Sequence, residues 1–90
     1  MRVDFGLFEG DTLLERGAFR VSHEAQCTHF KSFHAVHWLC EDSAKIVLSS
    51  FPSNVSLTKV DLDMPIQQSE DWESIELQGY TLAFRCSLDA

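Results

Sequence analysis

Six histidine and cysteine residues lie close together in the first half of the sequence and have the side chains that bind soft metal ions. They are His23, Cys27, His29, His34, His37 and Cys40. A structural zinc site needs four such ligands in a tetrahedron. The paired short spacings of zinc fingers and zinc ribbons are missing from this sequence. We therefore expect ordinary imidazole and thiol side chains without a metal, and we keep a metal-binding protein as an alternative.

Cysteine and histidine side chains also form nucleophilic catalytic sites. Cys27 or Cys40 has the chemistry to attack a substrate if a histidine and an acid lie beside it, but only three-dimensional geometry identifies such a triad. No nucleophile elbow or other enzyme signature accompanies these residues. We therefore expect a protein that is not an enzyme. The third cysteine, Cys86, makes the number odd, and we expect all three to be buried, reduced and unpaired.

Oxygen ligands and glycine loops give weaker signals. Asp61 and Asp63 are spaced to bind a hard cation together, but a calcium loop needs more oxygen ligands and a glycine at its turn. We therefore interpret them as a solvated strand face. The four glycines are isolated from one another, so no glycine-rich phosphate loop is present and nucleotide binding has no support. We expect no cofactor.

The strongest functional signal is an acidic stretch with a tryptophan inside it, here called the acidic segment. It comprises Asp61, Asp63, Glu70, Asp71, Trp72, Glu73 and Glu76. No lysine or arginine lies between Lys59 and Arg85. An aromatic anchor ringed by charged residues is typical of a protein-binding patch. The alternative interpretation is a surface that keeps a small protein soluble.

The net charge of −7 indicates the kind of partner. An acidic chain repels phosphate backbones and anionic membranes, so we expect no direct nucleic-acid or membrane binding. Its field attracts a basic protein, such as a nuclease or a nucleic-acid-binding complex. In size, charge and lack of motifs the chain resembles small acidic inhibitors: immunity proteins that neutralise nuclease toxins, and anti-CRISPR-like phage proteins that block host defence complexes. The resemblance implies a stoichiometric inhibitor and assigns no residue.

Two further interpretations concern the role and the location of the protein. A small structural subunit of a larger assembly, binding through a sheet edge, is another alternative. No apolar run reaches the roughly 18–20 residues that span a bilayer. The N-terminus carries Asp4 where a signal peptide would be apolar. We expect a cytoplasmic protein, either in its own cell or in a host cell.

The elements that must position these residues are predicted to be mainly strands. Short stretches rich in β-branched and aromatic residues alternate with turn signals, which is typical of an antiparallel meander, sandwich or small barrel of about six to eight short strands. The length predicts a single domain over residues 1–90. An α+β fold with one short helix is the variant of this prediction.

Period-two alternation predicts the individual elements. The expected strands are residues 3–8, 12–22 with a bulge or bend at Gly17, 33–40, 45–51, 55–64 with a bulge near Thr58, and 80–87. Residues 22–31 are the best helix candidate, because Ser22 can cap the first turn and the segment contains no glycine or proline. We expect an exposed loop over residues 65–71. Residues 72–77 fit either a short helix or a strand.

The same alternation predicts which side chains form the core. We expect the following residues to be mostly buried: Phe5, Leu7, Phe19, Val21, Val36, Trp38, Val47, Val60, Leu62, Leu82 and Phe84.

Overall fold

A computed structural model describes residues 1–51, 59–66 and 71–88. These residues form antiparallel β-strands, and none of them is helical, which confirms the predicted mainly β fold. The strands are β1 (Arg2–Glu9), β2 (Thr12–Arg20), β3 (Gln26–His29), β4 (His34–Cys40), β5 (Ser43–Ser49), β6 (Lys59–Pro65), β7 (Glu73–Leu77) and β8 (Tyr80–Ser87). No helix of a length and apolarity suited to crossing a membrane occurs in this part of the chain.

The strands form two four-stranded sheets, with the orders β2-β1-β8-β7 and β3-β4-β5-β6. The chain divides in the same way into two compact units. The first unit, Met1–Arg20 with Gln67–Ala90, contains the first sheet, and the second unit, Val21–Ile66, contains the other. The first sheet therefore joins the two ends of the chain through the β1–β8 pair, whereas the second is a meander of consecutive strands.

Two tight hairpins shape the first sheet. Gln78 and Gly79 both have positive φ, at 48° and 91°, which is the backbone of a two-residue turn that matches strand twist. The β1–β2 hairpin turns at Gly10, with φ of 60°, and Asp11. Of the bulge or bend predicted at Gly17, the bulge is wrong, because Gly17 pairs regularly with Phe5. The irregularity lies at Leu14, which has no partner between the pairs Leu7–Glu15 and Phe8–Leu13.

The helix predicted over residues 22–31 is wrong. Residues 26–29 form strand β3, which pairs along β4 from Gln26–His37 to His29–His34. A ten-residue helix is marginal by itself, and here the same residues satisfy the free edge of β4 instead. Residues 72–77, whose sequence fits either a short helix or a strand, contain strand β7. The bulge expected near Thr58 and most of the predicted 65–71 loop lie outside the described residues.

The predicted core is correct in the first sheet and only partly correct in the second. Six of the expected residues are buried: Phe5, Leu7, Phe19, Val21, Leu82 and Phe84. Val36, Trp38 and Val47 are only half-buried, because they lie on the face of β4 and β5 that alternates with the buried one. Val60 and Leu62 are half-buried as well, since β6 is an edge strand.

On β4 and β5, the side chains that are buried are not those predicted but those that alternate with them along each strand. Ala35 and His37 on β4 lie opposite Leu48 and Ile46 on β5, and all four are buried. Both faces of this β4 stretch carry large apolar residues, so alternation alone does not distinguish them.

Candidate functional site

Trp72 stands at the exposed edge of the first sheet. It directly precedes β7, the terminal strand of that sheet, and 51% of its surface is accessible to solvent. Its ring contacts Arg85 on the neighbouring strand β8, whose guanidinium carbon lies 4.8 Å from the ring centroid. This cation–π contact fixes the ring while leaving it open to a partner.

Three exposed acids accompany Trp72 on this edge. Asp71 precedes it, and Glu73 and Glu76 belong to β7. The Thr81 hydroxyl donates a hydrogen bond of 3.1 Å to the Glu76 carboxylate across the β7–β8 pair. The structure thus brings four members of the acidic segment together around one edge strand.

The other members of the acidic segment are not part of this edge. Asp61 and Asp63 lie exposed on β6, the edge strand of the second sheet, and Glu70 lies outside the described residues. Each aspartate on β6 has a lysine within ion-pair distance. Lys59 Nζ lies 3.9 Å from Asp61 Oδ1, and Lys45 donates a hydrogen bond to Asp63. That hydrogen bond lowers the pKa of the Asp63 carboxyl below its ordinary value.

Arginines mark a second surface that the sequence analysis missed. All four arginines of the chain lie on one face of the first sheet, the face that alternates with buried Val3, Phe5 and Leu7. The ladder pairs place Arg20 opposite Arg2, Arg16 opposite Gly6, and Arg85 opposite Asp4. Like charges directly opposite each other in a sheet destabilise it, so the Arg2–Arg20 pair has a cost in stability.

An open groove of about 840 Å³ lies on this face, and we call it the arginine groove. Its charged and large apolar lining residues include Arg2, Arg16, Arg85, Trp72, Phe8 and Leu13. All lining residues belong to the first compact unit. Small side chains leave space at the floor of the groove, because positions 6, 17, 18 and 83 hold only glycine or alanine.

Asp4 organises the charges in the groove. Its carboxylate lies 3.1 Å from Arg2 Nε and 3.7 Å from a terminal nitrogen of Arg85, and its side chain is only 19% exposed. One carboxylate thus holds two guanidinium groups in place. Among the described residues Arg16 has no acid within ion-pair distance, so the groove keeps a surplus of positive charge.

The histidines and cysteines of the possible metal cluster are spread along the second unit. His37 is buried, while His23, Cys27, His29 and Cys40 are exposed and His34 is half-exposed. The His29 and His34 rings stack with centroids 4.1 Å apart and planes 12° apart. Because the two rings are nearly parallel, their nitrogen lone pairs, which lie in the ring planes, point side by side and do not converge on one metal ion. The described part of the chain holds no group of three or more such side chains that could bind a metal.

His37 is the buried imidazole of the second sheet. Only 1% of it is accessible, and its Nε2 lies 3.0 Å from the Thr28 hydroxyl oxygen, within hydrogen-bond distance. Burial lowers the pKa of His37 below 6.5, which favours the neutral ring. This bond joins β3 to β4 and gives His37 a structural role.

The cysteines differ from the expectation that all three are buried. Cys27 and Cys40 are exposed and only Cys86 is buried, while all three are unpaired as expected. Cys27 lies opposite Val36 on edge strand β3 and Cys40 ends β4, so both lie on the face of the second sheet that alternates with the buried one. Burial, with a smaller effect from the charges of Glu73 and Asp4, raises the pKa of the Cys86 thiol to about 11. A thiol with this pKa is a poor nucleophile near neutral pH.

The exposed tryptophan edge and the arginine groove are therefore the two candidate sites. A comparison of the chain with protein-family models, with curated proteins and with solved structures finds no match.

Proposed function

We propose that this chain is a small acidic protein-binding module, acting as a stoichiometric inhibitor of a basic protein in the cytoplasm of its own cell or of a host. The observation that carries the proposal is the half-exposed Trp72 beside the acids of edge strand β7. Large aromatic side chains in this setting supply much of the binding energy at protein interfaces.

The electrostatics of the edge support a basic partner. Asp71 and Glu73 flank Trp72, and Glu76 follows on the same strand. Carboxylates here replace the phosphates that a nucleic-acid-binding surface normally holds opposite its lysines and arginines. The mechanism is occlusion: the acids align with the partner's bases and Trp72 fills the desolvated centre.

The edge strand adds a second means of contact. β7 pairs with β8 on one side, and as the terminal strand of its sheet it presents backbone groups on the other. An extended segment of a partner can add to such an edge through main-chain hydrogen bonds. This contact would contribute affinity, while the acids and Trp72 would contribute specificity.

An affinity pull-down from the native cells, followed by mass spectrometry, tests the proposal. The bait is the whole chain, compared with Trp72→Ala and with Asp71→Lys/Glu73→Lys. Glu9→Lys/Glu24→Lys is the matched control, because it makes the same charge change at exposed acids outside the acidic segment. We expect a basic protein that the unmodified and control baits retain and the two test baits lose. Equal recovery by all four baits would contradict the proposal.

A further inference from the structure

We propose that the arginine groove binds a mononucleotide, that is, a planar aromatic base on a sugar that carries one dianionic phosphate. The site goes beyond the proposed inhibitor function, because it takes a different kind of ligand on the arginine face of the first sheet, although Trp72 borders both sites. Three features of the groove support this ligand: its charge, the arrangement of its guanidinium groups and the shape of its floor.

The charge of the groove matches a phosphate monoester. Arg2, Arg16 and Arg85 contribute three positive charges to its lining, and Asp4 contributes one negative charge. The surplus is therefore two, which a phosphate monoester of roughly −1.5 to −2 at neutral pH balances. A ligand with a single carboxylate would balance only one of these two positive charges. One guanidinium group can also donate two parallel hydrogen bonds to a phosphate, whereas a lysine ammonium acts as a point charge.

The guanidinium groups are held in place before any ligand arrives. Asp4 contacts both Arg2 and Arg85, and Arg85 is fixed a second time against the ring of Trp72. Arg16 approaches from β2 on the other side of Gly6. A ligand that binds fixed groups loses less conformational entropy than one that must order them. The opposed Arg2–Arg20 pair would also be relieved by a bound anion.

The floor of the groove accommodates a flat ring. Gly6 is one of its lining residues, and a Cβ added there would come within 3.2 Å of the Phe8 ring, so the glycine lets Phe8 lie close to the strand. The half-exposed Phe8 ring provides an aromatic surface on which a base can stack, and Trp72, with Arg85 against one face of its ring, borders the groove. The volume of about 840 Å³ falls within the range of small-molecule sites. Three strand spacings separate β2 from β7, so the backbones of these two strands are about 14 Å apart.

A mononucleotide fits these observations better than a nucleic-acid strand. The chain as a whole carries a net charge of −7, and Glu76 lies on the same face of the first sheet as the arginines, opposite Thr81. A long polyanion would extend beyond the arginines and meet acidic residues, whereas a short ligand stays within the basic region.

Isothermal titration calorimetry on the whole chain tests the site, with adenosine, guanosine, cytidine and uridine 5′-monophosphates as probes. Adenosine alone and inorganic phosphate alone are the comparison ligands. We expect one saturable site for at least one monophosphate, about tenfold or more tighter than for adenosine or phosphate alone. Arg16→Ala should weaken this binding about tenfold. Lys59→Ala, which removes the same charge from the second unit, should not change it.

Chemical-shift mapping by NMR on the unmodified chain tests the site without depending on a variant. Adding the bound monophosphate should shift the Trp72 indole N–H and the Arg16 Nε–H resonances. The absence of saturable binding by all four monophosphates at about 10 mM would overturn the proposal. An equal loss in Lys59→Ala, or binding by a ten-nucleotide single strand alone, would also overturn it. Arg16→Ala should leave partner capture unchanged, which separates this proposal from the inhibitor function.

Discussion

The Arg85 guanidinium carbon lies 4.8 Å from the centre of the Trp72 ring, and a terminal nitrogen of the same guanidinium lies 3.7 Å from the Asp4 carboxylate. One side chain therefore borders both candidate sites: the acidic edge around β7 and the arginine groove. Because Arg85 covers one face of the ring, a basic partner at the acidic edge has the opposite face for its own contact. Arg85 therefore lies where the acidic edge meets the basic groove.

Trp72→Ala should alter partner binding much more than folding. The lost contact with Arg85 is an exposed cation–π pair, worth about 0.5–1 kcal/mol. If Trp72 is the anchor of the interface, dissociation of a purified partner should quicken by an amount equivalent to about 2 kcal/mol. Surface plasmon resonance and urea denaturation measure the two effects. A large loss of folding stability would instead identify Trp72 as a core residue.

Reversing the charges of Asp71 and Glu73 should chiefly slow association with the same partner. Exposed charges steer the encounter of two proteins, and salt screens them beyond about 10 Å at 0.1 M ionic strength. The association rate of the unmodified chain should therefore fall as salt rises, and that of Asp71→Lys/Glu73→Lys should depend less on salt. Kinetics measured at two salt concentrations check this. Identical rates and salt dependence in both proteins would make the acids a solubility surface.

Leu82→Ala should cost about 2–5 kcal/mol of unfolding free energy. Leu82 is only 3% exposed and lies between Leu7 and Ile75 in the first sheet. Truncation leaves a cavity that neighbouring strands fill only in part. The matched control is Leu14→Ala, which removes the same atoms from an exposed bulge and should change stability by less than about 0.5 kcal/mol. Equal denaturation midpoints for the two variants would disprove this strand register.

Much of the first sheet could be predicted from the sequence because its strands have one apolar and one polar face. Leu82 and Phe84 alternate with Thr81, Ala83 and Arg85, so their burial follows from parity alone. Strand β3 could not be predicted in this way. Its edge pairing depends on β4, and neither the Thr28–His37 bond nor the His29–His34 stack is a local feature of residues 22–31.

The candidate sites were predictable to different degrees. Trp72 and its flanking acids are consecutive in the chain, and a polar stretch around an aromatic residue indicates exposure. Arg2 and Arg85 are separated by almost the whole sequence, and they meet at Asp4 only because β1 pairs with β8. The net charge of the chain did not indicate a basic surface either, since a total of −7 does not show that all four arginines share one face. Knowledge of that strand pairing, combined with alternation, would have identified the groove.

Acid should destabilise the protein through His37. Burial lowers the pKa of this group in the folded chain below 6.5, the value expected for the exposed side chain of the unfolded chain. Below pH 6.5 the unfolded chain therefore binds a proton that the folded chain resists. The contribution of His37 to stability is fully present above pH 6.5. It is lost as pH falls toward the folded pKa, at up to about 1.4 kcal/mol per pH unit.

Urea denaturation between pH 7.5 and pH 5, in steps of about half a unit, measures this slope. His37→Gln should reduce it, whereas His23→Gln, which changes an exposed histidine outside the strands, should not. Thr28→Val should cost about 1–3 kcal/mol at neutral pH, because it leaves Nε2 of the buried ring without its hydroxyl partner. Thr28→Ser restores that hydroxyl and should recover most of the loss. A slope that persists unchanged in His37→Gln would assign the acid sensitivity to other groups.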